Sequence, residues 1–191
     1  MKRRVATGFM GLGFLILSGG VALAQKAKPV ETFAAVAASL GTGRAGRVDF
    51  AIERWSTDAE RETLRTTLIE LGPDKLLDAL MKIRPPVGYM KSSNQLAWDL
   101  FFARNNPTPD GGRHVVLATN RRVAFGEAAR STRSMDYQFT LIEMHLDKDG
   151  KGEGKMVPAA KVTWNADLKK IEIENYNAMP VDLISVTAKK P

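Results

Sequence analysis

The chain has 191 residues, no cysteine and a formal net charge of +7 at pH 7. Without cysteine there can be no disulfide, no cysteine metal site, no cysteine nucleophile and no lipid anchor on cysteine. Beyond the first four residues, no run of like charge exceeds two residues. The positive charge therefore indicates an ordinary solvated surface rather than a polyanion-binding protein.

The first residues have the parts of a cleavable secretory signal peptide. The basic start Lys2–Arg4 precedes an apolar run over 5–17, and Ala22 and Ala24 occupy the two small-residue positions that signal peptidase requires. The apolar run is shorter than the roughly 20 residues that span a bilayer. We therefore predict cleavage directly before Gln25.

This cleavage divides the chain into a signal peptide, residues 1–24, and an exported domain, residues 25–191. Cleavage of the signal peptide removes three basic residues, so the exported part has a formal net charge of +4. Its length allows enough core burial for stability without disulfides. We predict a single globular β-rich domain that is soluble, periplasmic or extracellular, and without a stable membrane anchor.

The exported domain begins with a predicted hairpin. Strands over 33–39 and 47–55 flank a glycine-rich loop over 41–46. This strand–turn–strand context argues against a phosphate-binding loop, which opens a helix. The residues expected to face inward are Val48, Phe50 and Ile52.

Two amphipathic helices are predicted next. Thr57 and Glu60 have the spacing of a capping box, Gly72 ends the first helix, and Pro73 begins the second. We expect this helical hairpin to pack on a sheet. The apolar positions of the two helices are Leu64, Leu68, Leu71, Leu76, Leu77, Leu80, Met81 and Ile83.

The remainder of the chain is predicted to be almost all strand. Glycine- and asparagine-rich turns over 105–112, 147–154 and 165–167 separate the strands, and Ile171 and Ile173 are expected to face inward. The fold class is α+β, an antiparallel sheet, open or barrel-like, with an inserted helical hairpin. The strands are predicted over 96–103, 114–119, 123–125, 137–146, 155–164, 170–176 and 181–187.

A calcium loop is the first candidate site. Asp147, Asp149, Gly150 and Glu153 share residue types with an EF-hand loop. The glycine arrives two positions early, however, and strands rather than helices are expected on both sides. An ordinary hairpin turn accounts for these residues.

The two histidines and the carboxylates give no motif either. His145 shares a strand face with Glu143 and is expected to face solvent, whereas His114 begins another strand. Two histidines without any cysteine provide fewer ligands than a zinc site normally has. For acid–base hydrolysis, nothing in the sequence fixes the distance between the carboxyl groups of Asp136 and Glu143. No G-x-S-x-G motif is present. We predict no catalytic residue, no metal and no cofactor.

Five arginines in the middle of the chain have one aromatic residue, Phe125, among them. Nucleic-acid surfaces interleave basic residues with stacking aromatics, and export also argues against such a target. We predict no nucleic-acid partner. The arginines are Arg113, Arg121, Arg122, Arg130 and Arg133.

Four sequence segments together resemble a group of exported bacterial proteins of no established function. They are residues 53–61, 109–113, 139–144 and 152–156. The resemblance covers most of the exported part and implies export. It brings no catalytic residues with it.

We expect a non-catalytic binding protein of the cell envelope, whose partner is a small amphipathic ligand or another envelope component. The ligand surface would be a sheet face or a barrel mouth. Trp98 and Phe102 share one strand face, and Trp164 comes from a later strand, although buried aromatics more often belong to a core. The alternative is a hydrolase that acts on an envelope polymer through acidic residues.

Overall fold

The computed structural model describes residues 28–39, 43–92, 96–120, 136–176 and 180–190. The predicted signal peptide, with Ala22 and Ala24, lies outside the described residues. So do the expected edge strand over 123–125 and four of the five clustered arginines. Within the described residues, no helix is long and apolar enough to span a membrane.

The described residues form an α+β fold in which ten strands make one antiparallel sheet. Two helices, α1 and α2, follow the second strand, as predicted. The helices are α1 (Asp58–Leu71) and α2 (Pro73–Met81). The strands are β1 (Glu31–Ser39), β2 (Arg44–Ile52), β3 (Gly88–Ser92), β4 (Trp98–Leu100), β5 (Phe102–Pro107), β6 (Arg113–Asn120), β7 (Phe139–Leu146), β8 (Lys151–Asn165), β9 (Lys170–Asn175) and β10 (Val181–Lys189).

The sheet is a nearly closed barrel with one seam. Its strand order is β4-β3-β2-β1-β10-β8-β7-β6-β5, and β9 pairs with β8 beside this path. The two end strands, β4 and β5, are separated in sequence only by Phe101, whose N–H bonds to Ala118 O at 3.1 Å. Thr119 Oγ1 also donates to Asp99 O at 2.6 Å across the seam. The alternatives of open sheet and barrel are thus decided in favour of the barrel-like form.

The barrel interior is filled with side chains from the strands around it. A barrel of about eight strands is just wide enough for its own side chains to fill it. The predicted inward residues Val48, Phe50 and Ile52 are all at most 5% exposed. The other buried members of this core are Phe33, Ala35, Val87, Leu100, Ala103, Val115, Leu117, Ile142, Met144, Leu146, Leu183 and Val186.

The two helices pack on the outside of the sheet and form a second core. The capping box is present: Thr57 Oγ1 accepts from Glu60 N, and the Glu60 carboxylate accepts from Thr57 N. Leu71 is 64% exposed, so the predicted apolar stripe of α1 ends one turn earlier. The buried members of this second core are Leu68, Leu76, Leu80, Phe101, Phe139, Ala160 and Val162.

Three sequence predictions are wrong in detail. The strand expected over 96–103 bends at Phe101 and becomes β4 and β5, while Leu96 is 86% exposed. Ile171 and Ile173 are 48% and 59% exposed, because the helices pack on β8 and β9 lies beyond it. The turn expected over 147–154 ends at Gly150, and β8 begins at Lys151.

Candidate functional site

Chemically active side chains gather on the outer face of the barrel where β6, β7 and β8 lie side by side. In the register of these strands His114 pairs with His145, and His145 also pairs with Glu153. Glu143 lies two residues before His145 and therefore shares its face. The alternation that buries Ile142 and Met144 in the barrel turns Glu143 and His145 outward.

The turn before β6 fixes the start of that strand. Asp110 accepts hydrogen bonds from Thr108 Oγ1 and from Gly112 N at 3.2 Å, and these bonds lower the pKa of the Asp110 carboxyl. At the first residue of β6, Arg113 turns to the opposite side from His114. It forms an ion pair with Glu31, whose side chain is 3% exposed, and the 2.9 Å bond runs from Arg113 Nη1 to Glu31 Oε2.

The carboxylate of Glu143 is in contact with both imidazoles through one oxygen. His114 Nε2 is 2.7 Å from Glu143 Oε1, and His145 Nε2 is 3.0 Å from the same oxygen. The two rings stack with their centroids 4.5 Å apart and their planes 7° from parallel. One nitrogen or oxygen atom from each of the three side chains lies within 4.8 Å of the others. We call this group the His–Glu–His cluster.

The three side chains differ in their access to solvent. The side chains of His145 and Glu143 are 63% and 52% exposed, whereas that of His114 is 28% exposed. His114 Nε2 is itself shielded from solvent and has no aligned hydrogen-bond partner among the described residues, in spite of its short distance to Glu143.

Two glycines of β8 let that strand lie close against the cluster-bearing strand β7. A side chain at Gly152 would collide with His145 O, and one at Gly154 would collide with Glu143 O. This close approach is why the glycine-rich segment is a strand and not the turn that its composition predicts. The backbone that carries Glu143 and His145 therefore rests directly on β8.

An open cleft of about 540 Å³ adjoins the cluster over β7, β8 and β10. Glu143 and His145 belong to both the cluster and the cleft. The cleft also contains one lysine and two further carboxylates, and the exposed Ile184 supplies an apolar part. Its other lining residues are Glu153, Gly154, Lys155, Asp182 and Leu183.

The acidic candidates among the described residues, Asp136 and the calcium-type loop, have different surroundings from the cluster. Asp136 precedes β7 by three residues, whereas Glu143 is the fifth residue of that strand and lies roughly 13 Å along it from Phe139. Asp147 Oδ1 accepts from the N–H groups of Asp149 and Lys151 at 2.9 Å each. That carboxylate stabilises a hairpin turn between two strands, as the sequence predicts.

The three aromatic residues that the sequence suggested as one ligand surface, Trp98, Phe102 and Trp164, lie in two different places. Phe102 and Trp164 pack against the second core, beneath the helices. Trp98 lies on β4, and its Nε1 donates to Asn120 Oδ1 at 3.2 Å. These three aromatic residues therefore make contacts within the fold, and none of them lines the cleft.

The sequence showed Glu143 and His145 on one face but gave no reason to add His114. A direct pairing of His114 with His145 depends on the register of β6 on β7, and residues 121–138 separate those strands. The available signal was the pair Glu143 and His145 on one face of β7 and a single histidine, His114, at the start of β6. Comparison with protein-family models, curated proteins and solved structures found no match for this chain.

Proposed function

We propose that this is an exported, non-catalytic binding protein of the cell envelope, and that it holds a small amphipathic ligand in the cleft on the outer face of the barrel. One observation supports the location above all. The interior of the barrel is filled by its own side chains, whereas the cleft over β7, β8 and β10 is open and has mixed polar and apolar walls.

The size and charge of the cleft indicate the kind of ligand. Small-molecule sites commonly measure about 300–1,000 Å³, and this cleft has about 540 Å³. The carboxylates of Glu143, Glu153 and Asp182 outnumber the single lysine, Lys155. Ile184, which is 46% exposed, gives an apolar surface beside them. A ligand with a cationic group and a short apolar chain complements these walls.

Amide chemical shifts are the suitable measurement, because the described tryptophans do not line the cleft. Dodecyltrimethylammonium, below its micelle-forming concentration and in the presence of EDTA, is expected to shift the amides of β7, β8 and β10 in a saturable way. Dodecyl sulfate is expected to bind at least tenfold more weakly. Equal affinity for both amphiphiles, or no saturable shift, would contradict the proposal.

A pair of variants tests the role of the carboxylates. Asp182→Asn removes one negative charge from the cleft and is expected to weaken binding of the cationic amphiphile several-fold. Asp149→Asn is the matched control, since Asp149 is exposed in the β7–β8 turn and does not line the cleft. An equal effect of the two substitutions would show that the ligand responds to overall charge and not to this cleft.

Hydrolysis of an envelope polymer is the second candidate, and the observation in its favour is the presence of three carboxylates in one cleft. A pair of carboxyl groups across a bound glycosidic bond is the usual requirement for such chemistry. Incubation with purified envelope polysaccharide and detection of new reducing ends tests this alternative. Turnover by the parent that is lost in Glu143→Gln and in Glu153→Gln would favour the hydrolase over the non-catalytic binding protein.

A further inference from the structure

Two imidazoles and one carboxylate converge on the outer face of the barrel, next to the proposed ligand cleft. We infer that His114, Glu143 and His145 form a binding site for a divalent transition-metal ion, with Zn²⁺ as its simplest probe. This inference concerns the cluster itself and does not depend on the amphiphile proposal.

The distances are close to those of a coordination sphere. Zinc binds histidine nitrogen and carboxylate oxygen at about 2.0–2.2 Å, so neighbouring ligands of a tetrahedral ion are roughly 3.3 Å apart. The two imidazole nitrogens are 2.7 and 3.0 Å from Glu143 Oε1. An opening of a few tenths of an ångström at these two nitrogen–oxygen pairs brings them to the spacing of zinc ligands.

The exposed imidazole provides the necessary movement. Two stacked, nearly parallel rings cannot both aim a nitrogen lone pair at one point, so one ring must tilt when the ion binds. His145 is 63% exposed and is free to turn, whereas the less exposed His114 is the fixed partner. Binding therefore requires the rotation of one surface side chain and no rearrangement of the sheet.

His114 Nε2 is shielded from solvent, and its 2.7 Å contact with Glu143 Oε1 lacks hydrogen-bond geometry. A shielded ring nitrogen without an aligned partner loses the hydrogen bond that water would give it. Coordination of a metal ion satisfies this atom, and Glu143 supplies the negative charge that offsets the charge of the ion. The backbone beneath is rigid, because Val115, Ile142 and Met144 are buried in the barrel.

The ligand set selects the class of metal. Imidazole suits Zn²⁺, Cu²⁺, Ni²⁺ and Fe²⁺, whereas Mg²⁺ and Ca²⁺ prefer sites made of oxygen. Three protein ligands leave at least one position for water or for another group. The cluster shares Glu143 and His145 with the cleft, where Glu153 pairs with His145 across β7 and β8.

The decisive experiment is a titration of tag-free protein with Zn²⁺ alone. The chain has two histidines, so a polyhistidine tag would obscure the site, and long-range ¹H–¹⁵N spectra of the imidazoles contain few signals. We expect one Zn²⁺ per chain, with the ¹⁵N signals of both histidines shifted together. Ca²⁺ is expected to leave these signals unchanged.

The variants distinguish this cluster from other surface sites. His145→Ala and Glu143→Gln are each expected to weaken Zn²⁺ binding at least tenfold, since even groups that only support a metal ligand contribute about 10–100-fold. Both side chains are about half exposed or more, so the fold should be retained, which the urea midpoint verifies. Glu70→Gln, at an exposed position on α1, is the control and should bind like the parent.

Three results would overturn the inference. The first is the absence of stoichiometric Zn²⁺ binding by the tag-free protein at micromolar concentrations. The second is binding that persists unchanged in the double variant His114→Ala/His145→Ala, which would place the ion elsewhere. The third is a shift of only one of the two imidazoles on saturation. None of these results bears on the amphiphile titration, because that measurement is made in EDTA.

Discussion

The substitution Glu60→Gln removes the carboxylate that ties the start of α1 to the chain leaving β2. Glu60 accepts two hydrogen bonds from the Arg54 guanidinium, at 2.8 and 2.9 Å, and one from Thr57 N at 2.8 Å. The bonds from Arg54, and after them the bond from Thr57, lower the pKa of Glu60 from its ordinary 4.5 to about 2, against the opposing effect of burial.

This lowered pKa gives the size and sign of the effect on stability. One pKa unit corresponds to about 1.4 kcal/mol, so the change corresponds to about 3 kcal/mol of folding free energy. The group is ionised more readily in the folded state than in the unfolded state. Its contribution is therefore complete above pH 4.5 and is lost as the pH falls through 2. By pH 3 less than about half of it remains.

Urea unfolding of the parent and of Glu60→Gln, at several pH values between 7 and 3, measures this contribution. At pH 7 the variant is expected to be less stable by about 2–3 kcal/mol, since partial exposure of Arg54 and Glu60 weakens the pair somewhat. More than half of this difference is expected to be lost on going to pH 3. Other carboxylates titrate equally in both proteins and cancel.

The control is Glu62→Gln, which removes a carboxylate from the same turn region of α1. Glu62 is 56% exposed, and its ion-pair partner among the described residues is the exposed Arg65 at 2.9 Å, so a change below about 0.5 kcal/mol is expected. A difference between parent and Glu60→Gln that stays constant from pH 7 to pH 3 would refute the linkage. It would show that the substitution acts through packing and not through the ionised carboxylate.

Three further predictions concern the cap, the buried ion pair and export. Thr57→Ala removes the hydroxyl that accepts from Glu60 N and is expected to cost about 1 kcal/mol, and an unchanged urea midpoint would exclude the cap as a stabilising contact. Glu31→Gln leaves Arg113, 15% exposed, without its charged partner and is expected to cost about 3–5 kcal/mol by urea unfolding. A cost near that of an exposed ion pair would mean that water reaches this end of the barrel. Export predicts an N-terminus at Gln25, and an intact mass that retains Met1 in protein recovered from the cell envelope would contradict it.

Local patterns in the sequence predict much of this fold. The alternation of Val48, Phe50 and Ile52 identifies the inner face of β2, because one face of that strand lines a filled barrel. Thr57 and Glu60 identify the start of α1 because the cap depends only on residues within one turn. In each case the determining contacts lie close in sequence or depend only on which face is buried.

The errors arise where a residue's surroundings come from a distant part of the chain. Gly152 and Gly154 resemble a turn by composition, but they permit close approach to the carbonyl groups of β7. Ile173 pairs with the buried Val162 and yet remains exposed, because the helices pack on β8 and do not extend over β9. Periodicity cannot show which element covers a face.

In the candidate site, too, the part that depends on local sequence is predictable and the part that depends on distant strands is not. That Glu143 and His145 share a face follows from their spacing of two residues in a strand. That His114 joins them follows from the register between β6 and β7, where a slip of one residue would turn it to the other face. The filled barrel interior and the position of the cleft likewise depend on how the whole sheet closes.

The place of β1 within the ring has a consequence for the order in which the protein folds. β1 pairs on one side with its hairpin partner β2, but on the other side with β10, so that Thr32 and Lys189 meet although 157 positions separate them. Most other neighbours in the ring are joined by short connections, and such local pairings form first. The contact between β1 and β10 is therefore the late step that completes the ring. A chain released without β10 would present β1 and the first part of β8, residues 151–156, as unpaired edges, each open to pairing with another molecule.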